Sequence, residues 1–227
     1  MDLVGWQRTA VDAIKRDAIV RSVASPRAES YILGEYLWSE EGAERSALQR
    51  VLAGSPHEPW LAKLIGAQLA DERRHARLLR DRIAELGAVP RPAPALAQAK
   101  LWWLERSCAR YGSAFAAGPI VVVLAAAAQL EATGVRMLRR HLDVLEARAV
   151  SSPTARVIRA ILADEKRHAA SCAAAAERLV CDDERVAFAE LRERVARIDR
   201  AFGVTLAVRY WCIVASRAAL ERAREAA

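Results

Sequence analysis

Cysteine is scarce and poorly spaced for most of its uses. The 227 residues hold four, Cys108, Cys172, Cys181 and Cys212, and no Cys-x-x-Cys pair. That excludes a zinc ribbon, a rubredoxin-type site and a disulfide framework, and it fits reduced thiols in the cytoplasm. Aromatic residues make up only 6%, and there are just 10 glycines and 8 prolines. A core with so few rings must be built from Ala, Leu, Val and Ile, and a chain this rich in alanine reads as helix almost throughout. No basic segment followed by an apolar one opens the chain at Met1-Asp2-Leu3-Val4, so no signal peptide is expected. The longest apolar run, residues 120–130, is shorter than a membrane span and stops at Glu131, so no membrane partner is expected either. A net charge of +7 leaves room for an acidic partner, but the 35 basic residues are interleaved with 28 acids and form no run. This patterning describes a solvated surface and argues against nucleic acid as the partner.

Histidine is as rare as cysteine but far better placed. Two of the four histidines lie in a heptapeptide that the chain writes twice, as Ala70-Asp71-Glu72-Arg73-Arg74-His75-Ala76 and as Ala163-Asp164-Glu165-Lys166-Arg167-His168-Ala169. On a helix, residues three apart share a face, so each copy presents a Glu and a His together. The other two, His57 in a helix-start sequence and His141 about 280° round the helix from Glu131, read as exposed and outside any site.

Apolar periodicity and turn residues divide the chain into helices at about 2–23, 29–53, 56–86, 95–116, 119–147, 153–180, 183–201 and 204–225. Ser25-Pro26 ends the first. Gly54 closes the second, and Ser55-Pro56-His57-Glu58 has the form of a capping box that starts the third. Residues 89–94 are a proline-rich connector, and Gly203 separates the last two helices. One domain of 1–227 is expected, all-α, with two hairpins at about 29–87 and 119–180 that pair as a four-helix bundle with one long crossover. Further helices flank the bundle at the two ends, and the two C-terminal ones either cap it or form a homodimer.

Register across each hairpin selects two further acids. A turn near residues 54–57 sets Glu40 level with Glu72, whereas pairing Glu44 with Glu72 would put the midpoint at about 58, slightly inside the next helix. A turn within residues 145–151 sets Glu131 level with Glu165. The expected cluster is Glu40, Glu72, His75, Glu131, Glu165 and His168. Four buried carboxylates demand compensation, and two divalent ions supply it. A site rich in carboxylates with one imidazole per metal suits iron or manganese better than zinc or copper. Asp71 and Asp164, one turn before each His on the same helix, are placed to accept the second imidazole N–H, with Arg74 and Arg167 to neutralise them. Glu44, should it reach the metals, is a seventh ligand or a proton shuttle. Tyr36, one turn before Glu40, is either a core residue or a phenol beside the metals, and Cys172 reads as a small core residue.

One Glu, then Asp-Glu-x-Arg-His, then one Glu, then Asp-Glu-x-Arg-His resembles the ferritin-like di-iron carboxylate superfamily over about residues 29–180. The resemblance implies a ferritin-like four-helix bundle with Glu40, Glu72, His75, Glu131, Glu165 and His168 as ligands of two Fe ions, or of Mn or a mixed Mn/Fe pair. It implies Glu72 and Glu165 as the metal bridges. The chain departs from that pattern in lacking the rubredoxin-type cysteines of rubrerythrins and in placing Thr133 off the face on which hydroxylating members keep a threonine.

The function expected on these grounds is a non-heme di-iron oxidoreductase that uses O2 or H2O2, draws on an electron donor and oxidises a small organic substrate. Ala127, Ala128 and Gly134 are the expected pocket. The alternatives are a ferroxidase or peroxide scavenger without organic substrate, and a helical binding protein whose metal site is structural.

Overall fold

The computed structural model of the protein describes residues 3–44, 48–49, 58–148 and 152–225. Those residues form an all-α fold: α1 (Leu3–Ser22), α2 (Pro26–Glu44), α3 (Pro59–Glu85), α4 (Ala95–Cys108), α5 (Ile120–Glu146), α6 (Pro153–Leu179) and α7 (Arg185–Glu225), with 3-10 turns at Ala109–Ala114 and Asp182–Glu184. Proline opens both α3 and α6, where its missing N–H has no partner to lose. α3 ends on Gly87, whose φ of 70° admits the left-handed turn. The Gly87 N–H then reaches Ala84 O at 2.9 Å and the Ala88 N–H reaches Ile83 O at 3.1 Å, which satisfies two terminal carbonyls. The expected capping box lies outside the described residues apart from Glu58.

α2 packs along α3, α5 along α6, and the two hairpins meet through α3 and α6. Paired side chains show how α3 meets α6. Arg82 bonds Thr154 at one end, Cys172 bonds Gln68 at the other, and His75 and His168 lie between, so the helices run antiparallel with the two motif copies facing each other. The apolar faces form two clusters. Leu61, Ile65, Leu69, Val121 and Leu124 belong to one, and Leu33, Leu37, Leu79, Leu142 and Ile158 to the other. Along α3, α5 and α6 the two clusters are separated by one polar layer, which holds Glu72 and His75, Glu131, and Glu165 and His168.

Two expectations need correction. The C-terminal segment is one helix of 41 residues rather than two, running through Gly203. A mid-helix glycine costs only about 1 kcal/mol, less than the packing of α7 on α1, α4 and α5 returns. α4 ends at Cys108 and tightens into the 3-10 turn rather than continuing to 116. By length and composition alone, α5 is long and apolar enough to cross a membrane, the one such helix among the described residues.

α7 is tied down by polar contacts. Buried Asp199 accepts from Lys100 at 2.5 Å, Thr133 at 2.7 Å and Gln129 at 3.0 Å, which joins α7 to α4 and α5. Thr133 therefore turns toward α7, away from the carboxylate layer.

Candidate metal centre

All six of the expected side chains meet in the polar layer. Glu40, Glu72, His75 and Glu165 form one group whose ligand atoms lie within 4.8 Å of one another, and Glu72, Glu131, Glu165 and His168 form a second. Glu72 and Glu165 belong to both groups. Such buried Glu/His groups could hold a metal ion. The imidazole centroids of His75 and His168 are 5.9 Å apart, and His75 is fully buried.

The two imidazoles are aligned alike. Each points Nδ1 into the carboxylates: His75 Nδ1 lies 3.1 Å from Glu40 and 3.6 Å from Glu165, and His168 Nδ1 lies 3.1 Å from Glu72 and 3.5 Å from Glu165. Each points Nε2 at an aspartate. The carboxylate that holds it comes from the other helix, against the same-helix pairing expected from the i, i+4 spacing: His75 Nε2 meets Asp164 at 3.1 Å and His168 Nε2 meets Asp71 at 3.2 Å. The antiparallel crossing of α3 and α6 explains the exchange, because it sets each Asp opposite the other copy's His. An Nε2–H held by Asp leaves Nδ1 facing the carboxylates, with its lone pair available whenever the ring is neutral. Arg74 and Arg167 each bridge both aspartates. Arg74 is 2.9 Å from Asp71 and also bonds Asp164, and Arg167 is 2.8 Å from Asp164 and also bonds Asp71.

Whether these residues fit a cation can be tested on their unsatisfied atoms. Glu72 Oε1, Glu165 Oε1 and His168 Nδ1 are buried without a hydrogen-bond partner, although they lie within 3.5 Å of one another in two of the three pairings. Buried polar atoms without a partner are rare and costly, and three that converge on one space are what a cation, whether a metal ion or a proton on the imidazole, would satisfy. The electrostatics agree. Burial, the neighbouring carboxyl of Glu72 and the charges of Glu165 and Glu131 hold Glu40 well above the usual carboxylate range. Burial together with Glu165 and Glu72 does the same to Glu131. Burial opposes charge on His168, but Glu165 and Glu72 outweigh it and lift the imidazole to about 10. Burial likewise opposes charge on Glu72, yet His168 outweighs it and holds that carboxyl below its ordinary value. The cluster collects protons wherever cations are wanting.

Other expectations fare differently. The side chain of Glu44 and all of His57 lie outside the described residues. Tyr36 is buried, and its hydroxyl turns to His141 Nδ1 at 3.2 Å rather than to the carboxylates. His141 is not exposed, as its sequence position suggests, but 0% exposed, and burial presses its pKa down to about 4. Its angle round α5 does point away from the carboxylates, but α1 packs against α5 and Tyr36 of α2 reaches the ring. Gly134 opens no pocket, because Glu165 Oε2 lies 3.1 Å from where its Cβ would be. Space exists instead on the outer side of the α5–α6 seam, in a groove of about 710 Å³ lined by Ala128, Ala132, Ala169, Ala173 and Phe188 among others. One participant escapes sequence reasoning. Gln68, buried one turn before Glu72, donates from Nε2 to Glu131 Oε1 at 2.8 Å. Its only sequence signal is its place on the same helical row as Glu72.

Compared with family models, with curated proteins and with solved structures, the chain matches none of them.

Proposed function

We propose that this chain is a ferritin-like di-iron carboxylate protein, its two hairpins forming the four-helix bundle of that superfamily, and that it acts as a non-heme oxidoreductase using dioxygen or peroxide. One observation carries the reading: two four-residue groups share Glu72 and Glu165 and together contain the doubled Glu-x-x-His motif and one further Glu from each hairpin. Glu40, Glu72, His75 and Glu165 would hold one ion, and Glu72, Glu131, Glu165 and His168 the other. Manganese, alone or paired with iron, suits the same hard oxygen donors. Two bound irons supply the pair of electrons that dioxygen or peroxide takes up.

The remaining work falls to the chain. Asp164 and Asp71 keep a proton on each Nε2 and so hold Nδ1 in its binding form, and Arg74 and Arg167 keep those aspartates charged. The two apolar clusters on either side of the layer exclude water, which strengthens every charge interaction within it. Ala128 lies one turn from Glu131, and Ala169 is next to His168. The groove they line is where we place a small organic substrate, with electrons from a separate donor.

The filled space at Gly134 favours a second reading, a ferroxidase or peroxide scavenger that needs no organic substrate. Anaerobic Fe(II) loading followed by air separates the two: a ferroxidase oxidises iron well beyond two equivalents per chain, and a substrate oxidase stops there. The proposal as a whole is tested on protein purified from iron-supplemented cells, compared with a Glu72→Ala/Glu165→Ala double variant. Bound iron and reductant-dependent oxygen uptake are expected in the first and neither in the second. Equal iron in both would overturn it.

A further inference from the structure

Gln68 belongs to neither motif copy, yet it reaches into the carboxylate layer. Its Nε2 donates to Glu131 Oε1 at 2.8 Å, and its own Oε1 accepts from Cys172 Sγ at 3.2 Å. Gln68 and Cys172 are both buried. A side-chain amide can present either end to a carboxylate, and only the N–H end attracts it. The Cys172 thiol, one turn beyond His168, takes the carbonyl end and thereby decides which way the amide faces.

The other half of the layer has no such device. With His75 and His168 as the common reference, the places of Gln68 and Cys172 are taken there by Ile161 and Leu79, which are buried and apolar. Glu40 is met instead by His75 Nδ1, an atom that a metal would claim. One terminal carboxylate is thus fixed by groups outside the ligand set. The other, among the described residues, is fixed only from within it.

We propose that Gln68, oriented by Cys172, is a positioning residue that holds Glu131 ready before any metal arrives. The two metal positions are therefore unequal, and the first divalent ion settles at Glu131 and His168. The inference rests on the two-metal reading above. Groups that orient ligands from outside the coordination sphere typically govern metal affinity by 10- to 100-fold, and that is the size of effect to look for.

The test is titration of the full chain with Mn(II), followed by the EPR signal of the free ion, with helicity checked by circular dichroism. The wild type is expected to bind in two steps, the first at least about tenfold tighter. Glu131→Gln removes the tight step. Gln68→Met, which keeps the volume and loses the amide, weakens the tight step about 10- to 100-fold and leaves the weak one unchanged. Cys172→Ala weakens it in the same direction, and Cys172→Ser, which keeps a donor for the amide carbonyl, restores it. If Gln68→Met fails to fold, the Cys172 pair decides alone. Two ions bound with equal affinity, or a tight step indifferent to these changes, overturns this inference and leaves the two-metal reading standing. A wild type that binds no Mn(II) overturns both.

Discussion

The inner pair of helices and the outer pair contribute to the carboxylate layer in different ways. α3 and α6 are near copies: each supplies a Glu, a His, an Asp and an Arg, and each orients the other's imidazole through the exchanged contacts of Asp71 with His168 and Asp164 with His75. α2 and α5 supply one Glu apiece and otherwise have little in common. Below Glu40 comes Tyr36, committed to His141, whereas Glu131 is flanked by Gln68 and by Gly134, whose missing side chain makes room for Glu165. The repeated part decides which side chains converge, and the unrepeated part decides how the two ends of the cluster differ.

The comparison breaks most visibly at the shared carboxylates. Replacing Glu165 with Ala should reduce bound metal from two ions to none, since both groups lose a ligand, whereas Glu131→Ala should leave one; metal analysis of the purified variants distinguishes the two. If both variants keep one ion, Glu165 is not common to the two positions.

The exchange between inner helices is the next to test. Asp164→Ala should weaken binding about 10- to 100-fold at the position served by His75, although Asp164 shares its helix with His168. Titrations in Glu131→Gln and Glu40→Gln backgrounds, each of which keeps one position, assign the loss. A loss confined to the His168 position would restore the same-helix pairing.

The unrepeated side predicts a pH effect. Burial lowers the His141 pKa from an ordinary 6.5 to about 4, so the unfolded chain takes up this proton at a higher pH than the folded one. The stability it confers is complete above pH 6.5 and is lost as the pH falls toward 4, by about 3 kcal/mol in all. His141→Gln should flatten that acid limb in urea melts run between pH 7 and 4, and an unchanged slope would assign the limb to other groups. The smallest effect is expected outside the layer. Gly203 lies mid-helix, and the nearest neighbour to a methyl group added there is Lys15 Nζ at 3.8 Å. Gly203→Ala should therefore raise stability by roughly 0.5 to 1 kcal/mol, visible as a small upward shift of the thermal midpoint; a drop would mean that the helix needs glycine there.

What can be read in the chain follows the same division. Glu72, His75, Glu165 and His168 are legible because they are written twice, and Glu40 and Glu131 because an antiparallel hairpin sets residues equidistant from its turn side by side. The all-α fold is legible in the alanine content and the apolar periodicity. Contacts between helices that are not neighbours in sequence are not. Spacing along one helix assigns Asp71 to the His of its own motif, because it says nothing of how α3 crosses α6. An angle round α5 makes His141 look exposed, because it does not reveal which helices cover that side. Gln68 and Cys172 carry no motif at all, and their partnership exists only once α3 and α6 are laid antiparallel. Gly203 reads as a break on local propensity, which counts for less than the packing of a long helix against its neighbours.

The most direct measurement is a count of metal ions on the wild-type chain with a spectroscopic reading of whether they interact. Protein purified from iron-supplemented cells should carry two irons per chain whose Mössbauer spectrum is that of a magnetically coupled pair, as expected of ions that share Glu72 and Glu165. A single isolated iron, or none, would contradict the account.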